Sequence, residues 1–219
     1  MPRALFEKTG MAAYISHLDL MRLFQRSFKR ARLPLTHTNG FNPRPSVSIA
    51  LPLSLGVESV CELLDFDLET EGFSCEDILD RLNQCLTDGV KVLKVYDNGS
   101  KIKNLAYLSC DIVLEYDAGI SADAVDKIRE LFASQELIVE KKGKNGMTEQ
   151  NIAPMIRSLS VDAQGDHEIC LNATICCQNP SLNPAQLIAA ISKYLPELTP
   201  DFVRICRREI YDTNNEIFR

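Results

Sequence analysis

The sequence predicts an α+β protein built as two tandem ferredoxin-like (βαββαβ) domains, at residues 1–98 and 104–219. Three observations predict it. Segments of strand-like and helix-like hydrophobic period follow one another in the order β-α-β-β-α-β. A polar stretch, DNGSKIKN (97–104), then breaks the pattern as a linker. The same order of elements returns after it, although the two halves show no obvious residue identity.

In the first half, RALFEK (3–8) reads as a strand, with Ala4 and Phe6 alternating against polar neighbours. TGMAAYI reads as a loop. A helix opens at Ser16, whose hydroxyl can cap free backbone amides, with Asp19 three residues on. Leu20, Met21, Phe24, Phe28 and Ala31 share one face of it. Arg22, Arg26, Lys29 and Arg30 fall largely on the other. The helix ends before Pro34. LPLTHT is a short extended piece, and NGFNPRPSVS is a turn-rich loop. SIALPLSL and VCELLDFDLE read as strands; in the second, Leu64, Phe66 and Leu68 alternate with Asp65, Asp67 and Glu69. Residues 74–87 form a helix opened by Ser74, and VKVLKVYD is the fourth strand.

In the second half, LSCDIVLEY is a strand and SADAVDKIRELFASQ a helix capped by Ser121. ELIVEKK is a strand, KGKNGMTEQ a polar turn, and IAPMIRSLSV and HEICLNATICC two further strands. NPAQLIAAISKYL is a helix with Asn183 as its cap and Pro184 at its first position. PDFVRICRREIY is the last strand.

The composition, 45% hydrophobic and 25% charged over 219 residues, is that of a globular protein. No apolar run is long enough for a transmembrane helix, and MPRALFEKTG lacks the apolar stretch of a signal peptide. The expected location is the cytoplasm, with no membrane partner. The eight cysteines form no C-x-x-C pair and several stand in apolar runs, so buried reduced thiols are expected. Three scattered histidines and the lack of H-E-x-x-H argue against a metal site. Phosphate-loop, dinucleotide and nucleophile-elbow signatures are absent, as is the C-x-x-x-C-x-x-C run of a radical SAM cluster. The chain is therefore expected to bind no cofactor by itself.

Charge is unevenly spread on a chain of net charge −6. Residues 1–50 carry eight basic and two acidic side chains, net +6, which leaves −12 on the rest. Such asymmetry points to an anionic partner, or to docking against an acidic patch. Within that block, Arg22, Arg26 and Arg30 recur every four residues and make either a phosphate stripe or a solvated helix face. Ser16 is a helix cap first and a binding residue second. His17, at the start of the helix, can act as a base, bind an RNA group, or only pack locally. Pro43 and Pro45 stiffen the loop around Arg44, which leaves little entropy to lose on binding. Asn42 offers a donor and an acceptor. Phe41 can stack on a base or anchor the loop.

YISHLDLMR (14–22), GFNPRPSVS (40–48), LPLSLGVES (51–59) and, more weakly, IRSLSV (156–161) together resemble the radical-SAM-linked family of unknown function. That domain is also found C-terminal to cobalamin-binding radical SAM proteins. The resemblance adds Glu58, in the third stretch, to the binding candidates. It implies a radical SAM partner that would itself carry an iron–sulfur cluster, S-adenosylmethionine and, in cobalamin-binding members, cobalamin. It also implies a link to RNA, since family members often neighbour genes of RNA metabolism. No established catalytic residue comes with it. The expected function is a non-catalytic accessory protein of a radical SAM system that binds RNA or its partner enzyme through the basic N-terminal surface. The alternative is a metal-independent RNA-processing enzyme using His17, of the tandem-domain kind that matures CRISPR repeats. Against it, KYLPELTPDF lacks the glycine-rich loop of those nucleases.

Overall fold

The computed structural model describes residues 2–70, 72–143 and 146–219. They form a mixed α+β structure with mostly antiparallel strands and four α-helices. The chain divides into two compact units, one ending at Lys103 and including Arg219, the other Asn104–Phe218.

The first unit runs β1 (Arg3–Lys8), α1 (His17–Arg30), β2 (Val47–Ile49), β3 (Glu58–Phe66), α2 (Cys75–Asn83) and β4 (Val90–Tyr96). Its strands lie in the order β4-β1-β3-β2, each pair antiparallel. Alternation buries one face of this sheet. Ala4 and Phe6 of β1, Leu64 and Phe66 of β3, and Val92 of β4 meet Leu20, Phe24 and Phe28 of α1 and Ile78 and Leu82 of α2. Phe6 and Phe24 pack edge to face with ring centroids 4.8 Å apart. Such a pair adds about 1 kcal/mol beyond its buried area.

Three local expectations are corrected here. TGMAAYI is no open loop, because Gly10–Tyr14 winds into a 3-10 turn. Of SIALPLSL only Ser48 and Ile49 join the sheet, as part of β2 (Val47–Ile49). Beyond it Pro52 has no amide to donate, and Gly56, at φ +80°, turns the chain. The helix expected over 74–87 has its last helical residue at Asn83. Asn83 uses its side chain to bond the Val92 backbone, accepting from N–H at 2.8 Å and donating to C=O at 2.9 Å.

The second unit runs β5 (Leu105–Glu115), α3 (Ala124–Phe132), β6 (Ile138–Gly143), β7 (Gly146–Asn151), β8 (Ile156–Gln164), β9 (Glu168–Cys176), α4 (Ala185–Tyr194) and β10 (Phe202–Asp212). Its main sheet has the order β10-β5-β9-β8, again antiparallel, while β6 and β7 make a separate hairpin. The polar turn KGKNGMTEQ is thus largely strand; its tip residues Lys144 and Asn145 lie outside the described residues. Tyr194 and Lys193 of α4 hold the hairpin's first residue, the Tyr194 hydroxyl accepting from Ile138 N–H at 3.0 Å.

Two caps also move. α3 starts at Ala124, and Ser121 supports its entry by donating to Asp123 Oδ1 at 2.6 Å. Asn183 stands one residue before the N-cap of α4 and still accepts from Ala185 N–H at 3.0 Å. None of the eight cysteines is in a disulfide; Cys61, Cys110, Cys170 and Cys177 are buried and the others half-buried. Burial pushes the Cys110 thiol up to about 12 and that of Cys177 to about 11. No helix among the described residues is long and apolar enough to cross a membrane.

Candidate nucleic-acid interface

Helix α1 is fixed in rotation by its apolar face. With Leu20, Phe24 and Phe28 almost fully buried, Arg22, Arg26, Lys29 and Arg30 must face solvent, and all four are exposed. Ser16 is its N-cap. The Ser16 hydroxyl accepts from Asp19 N–H at 3.2 Å and donates to Asp19 Oδ2 at 2.7 Å. The other Asp19 oxygen takes the Arg22 guanidinium at 2.8 Å. The Ser16 bond first, and then Arg22, hold the Asp19 carboxyl below its ordinary range. Arg22 is thereby partly neutralised by its own helix. Arg26, Lys29 and Arg30 make no ion pair with a carboxylate among the described residues. His17 is the first residue of α1 and half-buried, and its imidazole has no hydrogen-bond partner among the described residues.

The proline-rich loop is the end of a narrow ladder. The Thr36 N–H donates to Asp67 O at 2.9 Å on one side, and Ser46 N–H donates to Thr36 O at 2.7 Å on the other. Further out, Thr38 N–H donates to Arg44 O at 2.9 Å, and Arg44 N–H to the Thr38 hydroxyl at 3.0 Å. His37 and Pro45 face each other as a single bridge. These bonds make segment 36–46 a preformed hairpin. Phe41 at its tip is fully exposed, so it does not anchor the loop; its ring and the side chains of Asn42 and Arg44 are presented to solvent. The base of the hairpin adjoins the second half of α1 across a cleft bordered by Lys29 and His37.

The third stretch, LPLSLGVES, returns to the entry of α1. Gly56 N–H donates to Ala13 O at 3.0 Å, and Gly10 N–H donates to Glu58 Oε1 at 2.6 Å. Glu58 therefore holds the 3-10 turn immediately upstream of Ser16 and His17. Met11, Tyr14, Leu18 and Leu55 are exposed in these same segments. The candidates so fall into two groups. Ser16, His17 and Glu58 belong to the entry of α1, whereas Arg26, Arg30 and the Phe41–Arg44 hairpin belong to its middle and exit. No hydrogen bond or ion pair among the described residues joins Phe41 or Asn42 to His17 or Glu58.

Residues outside the sequence candidates also shape this region. Lys8 is 1% exposed and donates to Ala13 O at 2.9 Å. Burial lowers its pKa, and nearby Glu62 works in the opposite direction. Its signal lay in the strand alternation itself, since Ala4, Phe6 and Lys8 fall two residues apart. His37 has Glu69 at 3.5 Å, a pairing across 32 positions of chain that no local pattern encodes.

The chain belongs to the family described as uncharacterized protein conserved in bacteria (DUF2344), whose profile matches residues 2–184. No curated protein matches it. Among solved structures it is similar to a chain of a Cbf5-Nop10-Gar1 complex at 9% identity and a TM-score of 0.50, covering 95% of this chain and 48% of that one. It thus spans about half of that neighbour's length, and at such identity the likeness concerns the fold alone. An unknown protein from Galdieria sulphuraria matches at 10% identity over 97% of this chain and 96% of its own, with a TM-score of 0.26 that carries no argument.

Proposed function

We propose that this chain is a non-catalytic accessory protein that binds RNA through the exposed face of α1 and the 36–46 hairpin. The radical SAM system it would serve is inferred from the motif resemblance. Each unit is read as a ferredoxin-like domain, since both follow the order β-α-β-β-α-β along the chain, with the β6–β7 hairpin as an insertion in the second. The observation that carries the reading is Arg26, Lys29 and Arg30, side by side on α1, exposed, and without a carboxylate partner among the described residues. A row of unpaired cations releases counterions when it meets a phosphate backbone, which makes binding strongly salt-dependent.

Retention of single-stranded RNA, followed against salt, tests this. Replacing Arg22, Arg26 and Arg30 together by Gln should weaken binding at low salt and reduce the salt slope by about 0.7 for each phosphate no longer neutralised. Unchanged retention would refute the reading. The same incubation, run with a chelator, addresses the alternative enzyme: RNA cleavage abolished by His17→Ala would replace the accessory role with a catalytic one.

A second reading, docking on the partner enzyme, is favoured by Met11, Tyr14, Leu18 and Leu55, which are 58–83% exposed at the entry of α1. Large exposed apolar side chains gathered in neighbouring segments are typical of protein contacts. Co-purification with a radical SAM protein, abolished by Met11→Ser with Leu55→Ser, is the expected result; a clean failure to co-purify opposes it.

A further inference from the structure

We propose that the cleft between α1 and the base of the 36–46 hairpin is a pocket for one unpaired RNA nucleotide. This rests on the RNA-binding reading and adds to it a preference for single strands over duplex.

The cleft has a volume of about 320 Å³, at the lower end of small-ligand sites. Its floor is apolar, closed by the buried side chains of Phe28 and Leu35. His37 and Pro45 stand opposite each other across the hairpin ladder and both border the space. The flat imidazole ring is suited to the face of a base, and the puckered pyrrolidine ring offers aliphatic C–H contacts beside it. Gln25 and Lys29, one turn apart on α1, form the opposite rim. The Gln25 amide can both donate to and accept from a base edge, and the Lys29 ammonium can hold a phosphate. Glu69 completes the rim, 3.5 Å from His37 Nδ1, and can accept from an exocyclic amine. An apolar floor with the Lys29 ammonium on one rim and the Glu69 carboxylate on the other fits a ligand with a flat uncharged body, an amine donor on its edge and a phosphate on the Lys29 side.

The pocket is also held in shape before any ligand arrives. Glu69 N–H donates to Pro34 O at 2.9 Å, Leu35 bridges to Leu68, and Thr36 is bonded on both sides. Little backbone freedom is left to lose on binding. Bases in a duplex stay stacked and cannot enter, whereas those of a single strand turn outward readily. Arg26 and Arg30, on the same helix, lie where the flanking phosphates of the strand would run.

The test uses the full chain and two fluorescent probes, an unstructured RNA of about 12 nucleotides and the blunt duplex it forms with its complement. Anisotropy is followed against salt. The wild type should bind the single strand roughly tenfold more tightly than the duplex, as one stacked base would provide. His37→Ala should remove that preference while leaving the salt slope unchanged. Gln25→Trp, which fills the cleft from its exposed rim, should do the same. Equal binding of the two probes by the wild type, or a preference that survives in both folded variants, would overturn the pocket and leave the RNA-binding reading standing. Failure of the wild type to retain either probe at low salt would overturn that reading and the pocket with it.

Discussion

The ammonium of buried Lys8 and the amide of Gly56 converge on one acceptor, the carbonyl oxygen of Ala13, at 2.9 and 3.0 Å. The end of β1 and the 51–57 segment are thus fastened to the same turn, just before the first residue of α1. The entry of the basic helix is set by a charge inside the fold.

Replacing Lys8 should therefore destabilise the protein strongly. Lys8→Ala removes a charged donor and a packed aliphatic stem, together worth about 2–4 kcal/mol. Urea unfolding measures the loss. The pH dependence has a definite sign. Burial lowers the Lys8 pKa from its ordinary 10.5, so just below that pH the unfolded chain holds a proton the folded protein has released. Stability contributed by this site rises with pH across that window. In Lys8→Met the rise should disappear.

Ser16→Ala should cost about 1 kcal/mol through loss of the N-cap. It should also release Asp19. With its folded pKa held below the ordinary 3.8, Asp19 contributes stability that is present above that value and fades as pH falls through the folded midpoint. In Ser16→Ala the Asp19 midpoint, read by carboxyl chemical shifts, should move upward; an unmoved midpoint would contradict the hydroxyl–carboxylate bond.

Gly89 should not tolerate a side chain. It sits at φ +80°, and a Cβ there would run into the Thr9 carbonyl oxygen and stand 2.9 Å from Ala12 Cβ. Its own carbonyl accepts Thr9 N–H at 2.8 Å. Gly89→Ala should lose about 2 kcal/mol or more in thermal or urea unfolding, with most of the disturbance in residues 9–14.

Asp123 should titrate at about 2, held down first by the Ser121 hydroxyl and then by Lys127. Ser121→Ala should raise that midpoint toward the ordinary carboxylate range, visible by carboxyl chemical shifts. No change on removing the hydroxyl would show that Lys127 alone sets it.

Local alternation carried much of this structure into the sequence. Ala4 and Phe6, the Leu20–Phe24–Phe28 stripe, and Ser16 and Ser74 as caps each depend on neighbours within a turn or a strand, and each was readable. The features that escaped depend on distant partners. Lys8 has the period of a core residue, but its charge argues for the surface until Ala13 supplies an acceptor. Gly146–Asn151 has a polar composition, and only pairing with β6 and its support from α4 make it a strand. In SIALPLSL the apolar run reads as a strand and outweighs the local signals of Pro52 and Gly56, where residues 51–57 leave the sheet. In the candidate site, the arginine row was legible from spacing alone. The cleft beside it was not, because Lys29, His37 and Glu69 meet only after the 36–46 hairpin has closed.

The graded burial of the eight reduced thiols makes the protein its own probe of breathing motions. An alkylating reagent at neutral pH should consume Cys75, Cys85, Cys176 and Cys206 first, since these are only half-buried. Cys110 and Cys177, whose thiols burial pushes up to about 12 and about 11, carry almost no thiolate while the fold is closed. Their labelling rates would report how often the second unit opens, without any engineered cysteine.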